Sequence, residues 1–278
     1  MPEQNIQPIL KWVGGKRQLL NDILPLINKN SFETYVEPFV GGGAVLFSLA
    51  PQKAVINDFN SELINLYTII KNAPQALVDA LTVHQANNSK EYFLDVREMD
   101  RKENYSSVSN VQKAARTIYL NKTCFNGLYR VNANGYFNTP YGDYKNPNIV
   151  NHDLIFSLSN YFNNNDIKMK CGDYKSVLTD LNKTCFVYLD PPYMPISKTS
   201  SFVGYTKNGF DFDKQKELKD ECDKLNKKGV KFLQSNSDCP EIRELYKDYT
   251  IETVYAKRHI NSDSTKRGAV SEVLIRNF

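Results

Sequence analysis

The sequence predicts an α/β protein, a mainly parallel sheet interrupted by an insert of different character. Residues 34–58 run strand, glycine turn, helix, strand, the rhythm of a parallel sheet. The alternation returns in the last third, where the apolar run Cys185–Leu189 is followed by an amphipathic helix and another apolar run. Between these two stretches the chain reads first as helical and then as turn-rich, and the alternation is lost. With 278 residues, 41% of them hydrophobic, the chain is long enough for one large domain or one domain with a smaller insertion.

Taken in order, a helix is expected over Arg17–Leu26, after the Gly14-Gly15 turn. Thr34–Glu37 is a short strand, Gly41-Gly42-Gly43 turns it into a second helix, and Ala54–Asp58 is the next strand. These belong to a first part, residues 1–68. The insert is expected over 69–170. It opens with helices around Ala76–Val83 and Val111–Lys122. Asn134-Gly135, flanked by short strand-like runs, then predicts a hairpin, and Thr139–Asn148 is rich in turn residues. The third part, 171–278, returns to α/β. Helix Asp213–Lys228 carries Leu218, Cys222 and Leu225 on one face, with Gly229 placed to cap it. Val230–Ser235 is a strand, and Thr250–Ala256 with Val270–Arg276 form a closing pair.

Composition narrows the function classes. No apolar run approaches the ~20 residues that span a bilayer, and Met1–Gln7 lacks the pattern of a signal peptide. No membrane partner and a cytoplasmic location are expected. The five cysteines form no C-x-x-C pair and there are only three histidines, so reduced, mostly buried thiols are expected and no metal site is implied. A net charge of +4 is compatible with a nucleic-acid partner. His84, His152 and His259 read as surface or satisfied side chains. Lys257-Arg258-His259 and Lys266-Arg267 read either as a solvated face or as phosphate contacts.

Three motifs carry chemistry. Asp190-Pro191-Pro192-Tyr193 leaves an apolar strand directly and so sits at a carboxyl end, where open α/β sheets place ligands. The prolines fix the backbone, so the Asp190 carboxylate and the Pro191 carbonyl can converge as an acceptor pair for an amino group, beside the flat face of Tyr193. A plain Asp-Pro turn is the alternative. In Glu37-Pro-Phe39-Val-Gly41-Gly42-Gly43, glycines at a strand-to-helix turn permit close ligand approach, and Asp58 ends the next strand, where an acid accepts from ribose hydroxyls. No Gly-Lys-Ser/Thr follows, and Phe47 replaces the last glycine of the dinucleotide pattern, so a nucleoside cofactor without a pyrophosphate fits better. In Lys11-Trp12-Val-Gly14-Gly15-Lys16, the sole tryptophan reads equally as a core anchor and as part of a ligand-covering loop.

In this order, K-W-x-G-G-K, an F-x-G-x-G-type loop and D-P-P-Y make the chain resemble the Dam-type, GATC-methylating group of DNA adenine N6-methyltransferases. The resemblance runs from about Leu10 to Arg276 and continues past D-P-P-Y through Pro195, Ser197, Thr199, Phe202, Tyr205 and Phe210. It implies a Rossmann-like S-adenosylmethionine-dependent methyltransferase sheet with an inserted helical/β-hairpin target-recognition domain. It also implies S-adenosylmethionine as cofactor, S-adenosylhomocysteine as product and double-stranded DNA as substrate. By similarity, Trp12, Lys16, Phe39, Gly41, Gly43, Asp58, Asp173, Tyr174 and Asp190 contact the cofactor. Asp190, Pro191, Pro192 and Tyr193 form the catalytic motif around a flipped-out adenine.

Asn126-Gly127-Leu128-Tyr129-Arg130 matches the family's N-G-L-x-R segment, in which the arginine reads a guanine in the major groove. Lys11, Asn126, Leu128, Pro140 and Tyr144 match other DNA-contacting positions, and Asn132 and Asn138 are expected on phosphates. Asp143 departs from the pattern, because relatives often carry arginine there; Lys145 is placed to compensate. The resemblance allows a cognate restriction endonuclease acting separately, and a monomer or weak dimer. The competing readings are cytosine N4 methylation, RNA methylation, and a non-catalytic DNA-binding module. The loop Pro195–Gly209 is expected to order on DNA.

Overall fold

The computed structural model describes residues 6–194, 210–257 and 269–278. Pro195, Ser197, Thr199, Phe202, Tyr205, the loop 195–209, Arg258, His259, Lys266 and Arg267 lie outside the described residues. Among the described residues the core is a seven-stranded sheet in the order β3-β2-β1-β4-β5-β7-β6. The strands are β1 (Thr34–Glu37), β2 (Lys53–Asp58), β3 (Asp166–Cys171), β4 (Cys185–Leu189), β5 (Lys231–Ser237), β6 (Thr250–Lys257) and β7 (Ala269–Arg276). The first five run parallel, while β7 is antiparallel to both β5 and β6. The α/β class expected from the alternation is the class observed. All residues of β4 are buried, as a strand covered on both faces requires. From β1 the chain moves out to β2 and β3, then returns to β4 on β1's other side. The carboxyl ends of β1 and β4 therefore flank the switch point, where a crevice opens in such sheets.

Helices cover the sheet. The helix expected over Arg17–Leu26 is broken into α1 (Leu20–Ile23) between two 3₁₀ turns, Lys16–Leu19 and Leu24–Leu26. Pro25 lies within it, donating no hydrogen bond and restricting Leu24. The glycine turn leads into α2 (Ala44–Leu49) as expected. Then come α3 (Ser61–Asn72), α4 (Pro74–Ala86), α5 (Lys90–Glu98), α6 (Asn110–Thr123) and α7 (His152–Asn164), and after β4 come α8 (Phe212–Lys227) and α9 (Pro240–Leu245). Helix α8 ends in a Schellman motif. Gly229 takes φ +71°, its N–H donates to Asn226 O at 2.9 Å, and Val230 N–H reaches back to Leu225 O at 3.0 Å.

Two sequence expectations change. The boundary placed at residue 170 falls inside β3, which pairs in parallel with β2. Its alternation of Ile167 and Met169 with lysines is a weak apolar signal, typical of a short edge strand. The hairpin forms no regular strands and is reduced to isolated bridges, Val131↔Phe137 and Cys124↔Tyr141. Asn132 explains this in part: its Oδ1 accepts from the N–H groups of Asn134 and Tyr136, offering the backbone a partner outside the ladder. Helical residues hold the turn from below. Asp100 accepts from Phe137 N–H at 2.8 Å, Arg101 donates to Phe137 O at 2.9 Å, and the buried Arg116 pairs with Asp100 at 2.8 Å.

Candidate active site

Asp190 stands where β4 ends, and the N-terminal loop closes over it. Lys16 is only 5% exposed, a burial that an ammonium tolerates only when paired. Its Nζ lies 2.8 Å from Asp190 Oδ1, donates to Gly14 O at 2.6 Å, and sits 4.5 Å from the centre of the Tyr193 ring. Burial pushes the Asp190 carboxyl up to about 6. Glu272 and Asp58 push the same way, and Lys16 opposes them. The Tyr193 hydroxyl donates to Glu272 Oε2 at 2.5 Å, and burial with the nearby carboxylates keeps this phenol protonated.

The glycine turn is tied to β2. Gly41 N–H donates to Asp58 Oδ2 and Asn60 N–H to Asp58 Oδ1, each at 2.9 Å, while Tyr67 donates to Gly41 O at 2.7 Å. Gly41 has φ +47°, and a Cβ there would lie 2.9 Å from Trp12 Cδ1, so the indole packs directly on the turn. Glu37, at the end of β1, is buried, and its carboxyl is pushed well above the usual range by burial, against a 2.9 Å hydrogen bond from Tyr35.

The structure thus brings Trp12, Lys16, Gly41, Gly43 and Asp190 around one small cavity, with Glu37 and Tyr188 in its lining. Asp58 stands behind the turn. Phe39 and Tyr174 belong to a separate aromatic group with Phe210, at ring separations of 5.0 and 6.0 Å from Phe39. Asp173 is exposed and caps its own turn by accepting from Lys175 N–H.

Sequence reasoning missed the side chains that hold Asp-Pro-Pro-Tyr-Met in place. Pro191 and Pro192 have no N–H, so the segment depends on partners elsewhere. Gln215 of α8 donates to Pro192 O at 3.0 Å, Asn236 of β5 donates to Gln215 Oε1 at 3.0 Å, and Ser237 donates to Met194 O at 2.7 Å. All three are buried. A signal was present: Gln234-Ser235-Asn236-Ser237 is a run of polar residues in a buried strand, and such residues survive burial only when hydrogen-bonded.

The expected DNA-contacting residues gather around one link. Asn121 is buried. It accepts from Lys11 N–H at 3.0 Å and donates to Lys11 O and Gly127 O at 2.9 Å, joining the N-terminal loop to 126–130. Asn126 is exposed and left-handed at φ +57°, and its N–H donates to the Tyr144 hydroxyl at 2.9 Å. Pro140 and Tyr144 are exposed and Leu128 half-buried. Arg130 donates through Nε to Asn138 Oδ1 at 2.7 Å. Asn132 and Asn138, expected on phosphates, thus use their side-chain oxygens within the chain. Asp143 is exposed at φ +51°. Tyr129 stacks on Trp12 with ring centres 4.8 Å apart. His84 is buried, sharing a 2.9 Å hydrogen bond with Tyr92, while His152 is exposed. Four of the free cysteines are buried, and Cys171 is exposed. Among the described residues, no helix is long and apolar enough to cross a membrane.

Residues 12–260 match the family described as D12 class N6 adenine-specific DNA methyltransferase. The type II methyltransferase M1.LlaDCHI of Lactococcus lactis subsp. cremoris is 48% identical over 274 residues, covering 99% of this chain and 96% of its own. The type II methyltransferase M.MjaIII of Methanocaldococcus jannaschii is 40% identical over 290 residues, covering 98% and 99%. The DNA adenine methylase of Escherichia coli K12 is 34% identical over 268 residues, covering 95% and 93%.

Proposed function

This chain belongs to the D12 class of N6 adenine-specific DNA methyltransferases, and from that premise we propose that it methylates adenine in GATC, using S-adenosylmethionine and a base rotated out of duplex DNA. The observation that carries this reading is the position of Asp190: at the switch point, paired to Lys16, beside the glycine turn and Tyr193.

The residues present fit the cofactor. The carboxyl groups of Glu37, Asp58, Asp190 and Glu272 influence one another around the Lys16 ammonium. A crevice so rich in acids favours a cationic ligand. Trp12, Lys16, Gly41, Gly43 and Asp58 would hold it, with Phe39, Asp173 and Tyr174 toward its base. When bound, S-adenosylmethionine supplies an electrophilic methyl group.

The chain's own groups do the rest. Lys16 occupies Oδ1 of Asp190, which leaves Oδ2 and the Pro191 carbonyl to accept the two N–H bonds of adenine N6. That nitrogen is a poor nucleophile because its lone pair is delocalised into the ring. Two acceptors favour a more tetrahedral nitrogen and stabilise the positive charge as it develops. Tyr193 stacks on the extruded base and offsets part of the unstacking cost of a few kcal/mol. The proton released afterwards passes to water.

Arg130, oriented by Asn138, reads a guanine. Lys11, Asn126, Leu128, Pro140 and Tyr144 contact the rest of the site, and the amide groups of Asn132 and Asn138 position phosphates. Asp143 weakens phosphate contact locally. The test is transfer of labelled methyl to duplexes carrying GATC, GATC already methylated at N6 on both strands, and a scrambled site. Label recovered as N6-methyladenine from unmethylated GATC alone is the expected result. Label on the scrambled duplex removes the assigned site, and label recovered as N4-methylcytosine removes the assigned base.

A further inference from the structure

Glu272 has no place in any motif. The sheet brings it to the site by reversing its last strand. β7 runs antiparallel, so it starts where β5 ends, and Glu272 stands opposite Ser237 of β5. On its other side it pairs with Val254 of β6. A parallel strand would have carried the same residue to the far edge. The carboxylate accepts the Tyr193 hydroxyl proton at 2.5 Å, the length of a charge-assisted O–H···O⁻ bond. The phenol ring is thereby held at its tip by Glu272 while Lys16 lies over its face, 4.5 Å from the centre. A bond at the phenol tip fixes the direction of the ring axis, and Lys16 over the face then restrains the ring's rotation about that axis.

We propose that Glu272 is a positioning residue for methyl transfer, fixing the axis of the Tyr193 ring that receives the target base and adding negative charge beside Asp190. The inference rests on the reading of Asp190 and Tyr193 as the amine-binding site. It predicts two separable effects, one through the hydrogen bond and one through charge. The groups that face Asp190 are Lys16 from the N-terminal 3₁₀ turn, Glu37 from β1, Asp58 from β2, Tyr188 from β4, the adjacent Tyr193, and Glu272 from β7. Glu272 opposes ionisation of Asp190, and Lys16 promotes it.

The experiment measures kcat/KM against pH on a duplex that the wild-type enzyme methylates, for wild type, Glu272→Gln, Glu272→Leu, Tyr193→Phe and the double variant Tyr193→Phe/Glu272→Leu. Glu272→Gln keeps an acceptor for the phenol but removes the charge. Its acid limb is expected at lower pH than the wild type's, with a smaller plateau loss than Glu272→Leu. Glu272→Leu and Tyr193→Phe are each expected to lose about tenfold, the worth of a hydrogen bond to a charged group. The double variant is expected to lose no more than either single one, because both remove the same bond. Additive losses, or an unmoved acid limb in Glu272→Gln, overturn the inference, since a residue that merely supports the sheet acts independently of the Tyr193 hydroxyl. A wild-type enzyme that methylates no duplex overturns the underlying functional reading instead.

Discussion

At Asp190 burial and pairing pull in opposite directions. Desolvation lifts its carboxyl to about 6, and Lys16 works to keep it ionised. The ionised form is the one that accepts both an amine N–H and the Lys16 ammonium. Activity should therefore be present above about pH 6 and be lost as pH falls through that value. Lys16→Met removes the opposing cation, so the acid limb of kcat/KM should move to higher pH; a limb that stays in place argues against the pair. Asp190→Ala should lower kcat by at least ~100-fold while DNA affinity in a gel-shift assay is nearly unchanged. Asp58 shows how much a local motif conveys. It sits at the end of its strand as expected, but its carboxylate also holds the glycine turn through Gly41 N–H, a bond that only the folded sheet reveals.

At the scale of elements, α8 and β5 carry the Asp-Pro-Pro-Tyr-Met segment. Gln215→Leu removes the partner of the Pro192 carbonyl and of the Asn236 side-chain N–H, at a cost of about 1–3 kcal/mol. Urea unfolding should show that loss, and kcat on saturating DNA should fall by roughly tenfold, as expected when a reacting group shifts by a fraction of an ångström. Normal kcat at reduced stability would mean that the clamp serves only the fold. The turn around 131–137 depends in the same way on α6 and on the 3₁₀ turn Met99–Arg101 that follows α5. Asp100→Ala leaves the buried Arg116 guanidinium with only the Val96 and Arg97 carbonyls and frees Phe137 N–H. Losing one partner of a buried pair costs about 3–5 kcal/mol. Denaturant unfolding should record it, and DNA affinity should drop while cofactor affinity, measured by calorimetry, is retained.

Across the whole molecule, Trp12 links the glycine turn to the 126–130 segment. It packs against the glycine turn and stacks on Tyr129. As the sole tryptophan, it makes intrinsic fluorescence a report on both. Emission should change on adding cofactor and again on adding GATC duplex. Tyr129→Leu removes the stack, worth ~0.5–1.5 kcal/mol beyond area burial, and should reduce by a few-fold the factor by which DNA tightens cofactor binding. Because coupling is reciprocal, the same factor should govern DNA affinity with and without cofactor. Unchanged coupling in Tyr129→Leu would place the link elsewhere, for instance in Asn121.

The sequence by itself determined the strands β1, β2, β4 and β5, the helix α8 with its Gly229 cap, the glycine turn, and Asp190 at a carboxyl end. These are written in short-range patterns: apolar runs, turn residues and motifs within a few positions of one another. Only the tertiary structure decided that β3 joins the sheet, because its own apolar signal is weak and its place comes from pairing with β2. It also decided that Glu272 meets Tyr193, that Gln215 and Asn236 meet the Asp-Pro-Pro-Tyr-Met segment, and that Asn121 meets Lys11 and Gly127. Each of them acts on a residue far away in sequence, and the hydrogen bond that gives it a role exists only once the strand order and the reversal of β7 have been set. Local periodicity carries no record of that order, which long-range packing of the whole sheet selects.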